Sequence, residues 1–600
     1  MSEGPIVPVP FDTLAVRSLN ASRVVHQPTY AGLRLLLGPA SNAPGPFLAF
    51  LLRRCRSRED WRYFGFQILK EAPAGRRPEY RNCLAGSPLT FLAESHVLAI
   101  MAAEPAFQPP RCAYSYLWPT TASDGRNFEY YFHGYQRRAQ RVAELLASLP
   151  GHVAVVADIR RFYPSVDKGR VRRRVEERAA SVASDAAAKS IRHFTAGLLD
   201  QHGAKMTGIP IGPDFSHFLG HVALEPVDRA MQEQFGECYL RYVDDVVTVC
   251  PQGQVREATA RLRSLLASEG LSLNDDKQDI VEPRVWQEEG WEPFAVESAD
   301  PFGELLADIS AFLLARPGRA EGLHSQLRQE GFALPVARLA GQARSRRFRS
   351  FFRRAVFDGR RLLAWLRGLL HSERSIIEKA RDCRDQLSAA AHALASEPPA
   401  SPMRRRWFAQ RRRATYNRLL YLMPPDQYGA LLGLIPDINE FHEVRSVAAA
   451  LSAGDATGIL PYPGKVVTTF CQLWPEHHPG RPPQVRWPAA PGRAEAESAA
   501  HLALNLSVLP PPPILESIGR HTPGTRILIE LCGRSSADRN AISPLTYLDE
   551  VENLFRGVPH EEVRRLLSRR FDEAEDVGLD ALSLGSAGYP VPWDPYQYAN

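Results

Sequence analysis

Lysine is scarce in this 600-residue chain, and paired cysteines are absent. The eight cysteines, at positions 55, 83, 112, 238, 250, 383, 471 and 532, are scattered, and no two form a C-x-x-C pair. That scatter excludes a zinc-ribbon motif and a disulfide framework of the small secreted kind. Cys471 with His477 and His478 has no second pair of ligands and reads as ordinary core and surface. No run of eighteen apolar residues occurs, so neither a membrane helix nor a membrane partner is expected. The opening "MSEGPIVPVP" has no basic n-region and no apolar h-region, so a secretory signal is not expected. These absences fit a reducing, cytoplasmic setting. No fixed period marks a repeat array.

What is present is an ordinary globular composition, 44% hydrophobic and 23% charged. The length predicts roughly two to four domains. Net charge is +6, from 73 Lys+Arg against 67 Asp+Glu. The basic side is mostly arginine and is clustered, and arginine forks suit phosphate oxygens.

Patterning divides the chain into four stretches. Residues 1–150 mix short helices with extended segments. Residues 151–295 alternate β and α, from "GHVAVVADIRRFYPSVD" to "LSLNDDKQDIV", and predict an α+β catalytic unit. Residues 296–475 carry helical periodicity, as in "ELLADISAFLLAR" and "ATYNRLLYLM". Residues 476–600 are Pro-rich and helical with the tail "GYPVPWDPYQYAN".

The stretch "CYLRYVDDVVTVC" places Asp244 and Asp245 inside an apolar β-pattern. Unpaired carboxylates in such a place cost several kcal/mol each, so they must be solvated at a turn, paired with arginine or bound to a cation. A tight turn at Val243–Asp245 places both at a hairpin tip. Asp158 ends a second apolar run, "VAVVAD". If that strand lies beside the hairpin, three acids make a site for two hard cations. Magnesium prefers a few carboxylates plus substrate phosphates, and an ion pair supports in-line phosphoryl displacement without a catalytic His or Ser.

"ADIRRFYPSVD", "GIPIGPDFSHFLGHVALEPVD" and "RYVDDVVTV", in this order and spacing, resemble the palm motifs of reverse transcriptases. The resemblance implies right-hand polymerase fingers and palm followed by a mainly α-helical C-terminal region. It implies Asp158, Asp244 and Asp245 as catalytic acids, with the Ile159 carbonyl as a further contact to two Mg²⁺ ions, for which Mn²⁺ substitutes. It implies deoxynucleoside triphosphates as substrates. Tyr163 would lie under the incoming sugar, clashing with a 2′-OH, with Phe162 on the opposite face. Gly208, Pro210 and Gly212 would pack on the nascent pair, and Ser216 and Phe215 would follow along the groove. Lys277 would neutralise or protonate the leaving pyrophosphate. Arg111, Arg126 and Arg137 are candidates for the triphosphate, and Arg160 and Arg161 for template or priming strand.

Where the common pattern of this family reads Gly-x-Pro-Gln-Gly, this chain has Ile211 in place of Gln. That departure is similar to the bacterial abortive-infection and unknown-group reverse transcriptases of antiphage defence, in which a helical domain replaces the usual thumb. The resemblance then implies DNA synthesis, possible without a conventional template and primed from a protein hydroxyl, with Tyr30, Tyr596 and Tyr598 as candidates. Partners are a single-stranded DNA product or an RNA template, and a homo-oligomer is expected. Two basic stretches, 344–354 and 404–418, interleave arginine with aromatics. Arg404, Arg405, Arg411 and Arg412 of the second suit single-stranded nucleic acid. The competing readings are a retroelement-type enzyme copying a specific RNA and a catalytically silent nucleic-acid-binding scaffold.

Overall fold

The computed structural model describes residues 9, 11–26, 29–30, 33, 63–71, 77–120, 125–200, 208–291, 301–334, 336, 339, 359–396 and 402–521. Within them the fold is α+β with a helical C-terminal region. The basic stretch 344–354 and the tail tyrosines Tyr596 and Tyr598 lie outside the described residues.

Two small antiparallel sheets are present. Strands β1 (Tyr63–Glu71) and β2 (Glu79–Gly86) form a hairpin. Strands β3 (His152–Asp158), β4 (Tyr239–Tyr242), β5 (Asp245–Pro251) and β6 (Asp279–Val281) form a four-stranded sheet in the order β4-β5-β3-β6. Its central strands read as near-continuous apolar runs because both faces are covered. Ala154, Leu240, Val247 and Val249 pack with the helix Tyr131–Ser148 through Ala139, Val142 and Leu146. On the other parity, Ala157, Tyr239 and Val246 join a core that includes Phe218 and Val222 of the helix Asp214–Phe235. A helical pair, Lys168–Ala180 and Asp185–Asp200, extends that core.

From Phe302 onward a separate apolar cluster runs through the helices Pro301–Ala315, Ala320–Gln329, Glu373–Ser396, Pro402–Leu422, His442–Ala453 and Lys465–His477. The proline run of "LPPPPILE", residues 509–516, opens the helix Pro512–His521. Proline is tolerated in a first helical turn, where its missing N–H has no partner to lose.

Phe162 and Tyr163 do not alternate as strand residues. Arg161 takes a left-handed conformation, φ 48°, and starts a single helical turn, Phe162–Ser165. The two rings therefore sit edge to face, 5.2 Å apart, with Phe162 buried and Tyr163 half-buried.

Candidate active site

The site is built on register. Strands β3 and β5 pair antiparallel from His152↔Pro251 to Asp158↔Asp245, so the two acids are cross-strand neighbours. Such partners have Cα atoms about 5 Å apart and side chains on one face. Asp244 lies in the two-residue turn between β4 and β5, where Tyr242 pairs with Asp245. All three acids thus meet at one end of the central sheet. Ile159 is buried and donates its N–H to the Asp244 carbonyl at 3.1 Å, tying the end of β3 to the turn.

The turn is strained and held. Val243 has φ 54°, a region that a β-branched residue rarely enters, at a cost of about 1–3 kcal/mol. Its N–H donates to Ser115 Oγ at 2.8 Å, and its carbonyl accepts from Arg241 Nη1 at 2.9 Å. Arg241 is 1% exposed and faces Asp228, also 1% exposed, with Nη2–Oδ2 2.7 Å and Nε–Oδ1 2.9 Å. Burial works against the guanidinium charge, but the Asp228 carboxylate more than restores it and lifts the group above its ordinary value. Arg241 Nη2 also donates to His221 Nδ1 at 3.1 Å, and His221 Nε2 donates to the Ser115 carbonyl at 3.0 Å. Burial, then the Arg241 charge, keeps His221 neutral, which suits that pattern. On the far side Arg138 Nη1 donates to the Asp245 carbonyl at 3.0 Å.

The acids themselves are in mutual electrostatic reach. Burial, followed by the charges of Asp245 and Asp158, pushes the Asp244 carboxyl up to about 7. Asp244 Oδ1 is buried without a hydrogen-bond partner. Asp158, in contrast, accepts from Asn274 Nδ2 at 3.0 Å and faces Lys277 Nζ at 3.4 Å. As they stand, no three His, Cys, Asp or Glu side chains are gathered closely enough to hold a metal ion among the described residues. The donor set nonetheless fits a divalent cation: an orphaned carboxylate oxygen, two further acids within reach, and an ammonium already standing in as counter-charge to one of them.

Lys277 is half-exposed at the site. Arg160 and Arg161 are exposed directly after Ile159. Tyr163 donates its hydroxyl to His217 Nδ1 at 2.7 Å, and the His217 ring stacks on Tyr116 at 3.9 Å. Burial drives His217 down to about 3, so it is a neutral acceptor. Burial and the nearby Asp244 charge both raise the Tyr163 hydroxyl. The loop Gly208–Pro213 is pinned between two backbones. A Cβ on Gly208 would meet the Tyr163 carbonyl at 2.0 Å, and one on Gly212, φ 121°, would meet the Leu84 carbonyl at 2.2 Å. Leu84 N–H in turn donates to the Ile211 carbonyl at 2.7 Å, and Pro210 is buried between them.

Several expectations are corrected. Ser216 and Phe215 do not line a groove: both are 0% exposed, with Phe215 packed on Phe194 at 4.9 Å between ring centroids. The helix they open faces the core there, so the Ser216 hydroxyl is closed to a nucleic-acid strand. Tyr30 is a buried residue, which does not suit a priming group. Arg126 lies over the Tyr130 ring and Arg137 pairs with Glu129, while Arg111 is exposed. Arg404, Arg405, Arg411 and Arg412 share the helix Pro402–Leu422, whose later turns bury Tyr416, Leu419 and Leu420. Arg411 is exposed, Arg412 half-buried, and the side chains of Arg404 and Arg405 lie outside the described residues. Sequence reasoning missed the β1–β2 hairpin, though the turn-rich "EAPAGRRPE" between apolar runs signals one. It also gave no role to Arg241, Asp228 and His221, although they lie inside the quoted motifs, nor to Ser115, which lies outside them.

No protein-family profile and no curated protein matches the sequence. Among solved structures the chain is similar to a telomerase from Candida albicans in complex with a TWJ fragment of telomeric RNA, at 8% identity and a TM-score of 0.27. The match covers 66% of this chain and 65% of that one, so the chain spans under two thirds of that relative's length. The reading of the site rests on its own geometry.

Two outcomes follow from this arrangement. Arg241→Met strands a buried Asp228 and should cost about 3–5 kcal/mol in denaturant unfolding, while Arg241→Met with Asp228→Leu recovers only part of it, because the Val243 carbonyl and His221 still lose their donor. A single-variant loss below about 1 kcal/mol would mean that the pair does not hold the turn. The second outcome concerns pH. Because the folded state keeps a proton on Asp244 up to about pH 7 and the unfolded chain loses it near 4, stability in chelator falls as pH rises between those values. Asp244→Asn should therefore raise the melting temperature at pH 8 and leave it unchanged near pH 4. An equal shift at both pH values would contradict the assignment.

Proposed function

We propose that the chain is a Mg²⁺-dependent deoxynucleotidyltransferase, a DNA polymerase of reverse-transcriptase type. The observation that carries this reading is the pairing of Asp158 with Asp245 beside a strained turn that buries an unpartnered Asp244 oxygen. Asp158, Asp244, Asp245 and the Ile159 carbonyl would hold Mg²⁺, or Mn²⁺ in its place. Two such ions, when bound, activate an attacking hydroxyl and stabilise a leaving oxygen.

The chain's own residues supply the rest. Arg241 and Ser115 fix the turn, so the acids are held in place before substrate arrives. Tyr163, its hydroxyl held by His217, would disfavour a 2′-OH on the incoming sugar. Lys277, half-exposed beside Asp158, would donate a proton from its ammonium to departing pyrophosphate. Exposed Arg160 and Arg161 meet strand phosphates. In this reading residues 151–295 act as palm, the upstream segment with the β1–β2 hairpin as fingers, and the helical region in place of a thumb. The Ile211 departure and that helical region support a role in antiphage defence, with protein priming and no fixed template.

One observation favours a second reading. The acids as they stand gather no three-ligand set, which suits a silent nucleic-acid-binding scaffold.

Purified protein with Mg²⁺ and labelled dNTPs, with and without added RNA, separates these. Incorporation is expected, reduced about a hundredfold or more in Asp158→Asn and Asp244→Asn. Label that stays with denatured protein marks protein priming, and strict dependence on added RNA marks a template-copying enzyme. No incorporation, with equal nucleic-acid binding by wild type and Asp244→Asn, would leave the scaffold.

A further inference from the structure

Among the described residues, four that are not glycine take a left-handed backbone: Tyr116 (φ 47°), Arg161 (48°), Val243 (54°) and Ser507 (56°). Such residues are strained, and the strain persists only where surrounding contacts enforce it. Val243 shapes the acid turn, and Arg161 the helical turn that carries Tyr163. Tyr116 belongs to the same neighbourhood. Its predecessor Ser115 is buried, accepts from the Val243 N–H through Oγ, and accepts from His221 Nε2 through its carbonyl. One residue on, the Tyr116 ring lies flat on His217, with centroids 3.9 Å apart and planes inclined by 5°. Phe128 packs edge to face with Tyr116 at 5.4 Å. Residues 115 and 116 thus grip two histidines one turn apart on the helix Asp214–Phe235.

His217 carries this grip to Tyr163. The Tyr163 hydroxyl donates to His217 Nδ1 at 2.7 Å, and the two rings stand at 79°. The bond needs an unprotonated Nδ1 that is aimed at the hydroxyl. Burial keeps the imidazole neutral. Aim is a separate requirement, because the ring torsion of histidine is broad and roughly two-fold. The Tyr116 stack fixes the plane of the imidazole and so the direction of its lone pair. The helix also comes close here: a Cβ on Gly220 would stand 3.2 Å from Phe162 Cε1 and 4.0 Å from the Tyr163 hydroxyl oxygen. An apolar pocket alone rejects an added hydroxyl by only about a hundredfold. Stronger rejection needs a wall whose position is locked by the groups behind it.

We propose that Tyr116 is a positioning residue for sugar selection, acting through the stacked His217 to hold the Tyr163 ring against the sugar of the incoming nucleotide. The inference rests on the polymerase reading and names the support of its selectivity.

The test compares kcat/KM for deoxy- and ribonucleoside triphosphates with Mg²⁺ in the full-length protein, alongside melting temperatures. Tyr116→Leu and His217→Leu should each lower the deoxy-to-ribo ratio about tenfold, and the double variant no further than either, since both act on one contact. Tyr116→Phe keeps the stack and should keep the ratio within about twofold. Tyr116→Met takes the place of Tyr116→Leu should the latter not fold. A readout without catalysis is the ¹⁵N shift of His217 Nδ1. It should move on Tyr163→Phe in the wild type and stay in place on the Tyr116→Leu background, where the bond is already lost. An unchanged ratio in a folded Tyr116→Leu protein, an equal fall in Tyr116→Phe, or a shift that still moves on the Tyr116→Leu background would overturn this inference alone. Wild-type protein that incorporates no nucleotide would overturn the polymerase reading and this inference with it.

Discussion

The ion pair between Arg241 and Asp228 is the constraint on which the candidate site depends. Both partners are enclosed, so neither has water as an alternative, and the guanidinium has donors left over. One of them goes to the Val243 carbonyl, which holds a β-branched residue in a left-handed conformation. Without that bond the turn would relax and Asp244 would leave its place against β3. The strain is thus carried by a network reaching from the helix Asp214–Phe235 to Ser115, rather than by the hairpin alone.

That network sets up an electrostatic conflict at its tip. Three acids lie within electrostatic reach of one another at the end of β3 and β5. Asp158 turns to Asn274 and Lys277, while Asp244 keeps an unpartnered oxygen and a raised pKa. A protein held together only for stability has no reason to retain this arrangement, because an apolar or amide side chain at 244 removes the conflict. A divalent cation resolves it, and that is the physical content of the proposed activity.

The sequence showed the acids but not what holds them. Asp244 and Asp245 stand out because two charges interrupt an apolar strand pattern, and Asp158 because it ends another. Their convergence follows from a short turn and an antiparallel register. Asp228 does not stand out: in "ALEPVDRAM" it reads as one more polar helix position, and its burial is a tertiary fact. Ser216 misled for the same reason, since a serine beside a Gly/Pro loop looks accessible until the helix it opens is packed. Tyr163 was legible as an aromatic near the acids. Its placement was not, because the left-handed Arg161 turns the chain and ends the period of two. In the C-terminal half the helices were legible from periodicity.

The central claim is that the acid cluster at the end of β3 and β5 is a cation site. Anomalous diffraction from crystals grown in Mn²⁺ tests it most directly. The account predicts a peak between Asp158 and the Asp244–Asp245 turn, with Lys277 displaced from Asp158. No peak there, with Asp158 still facing Lys277 and Asn274, would contradict it.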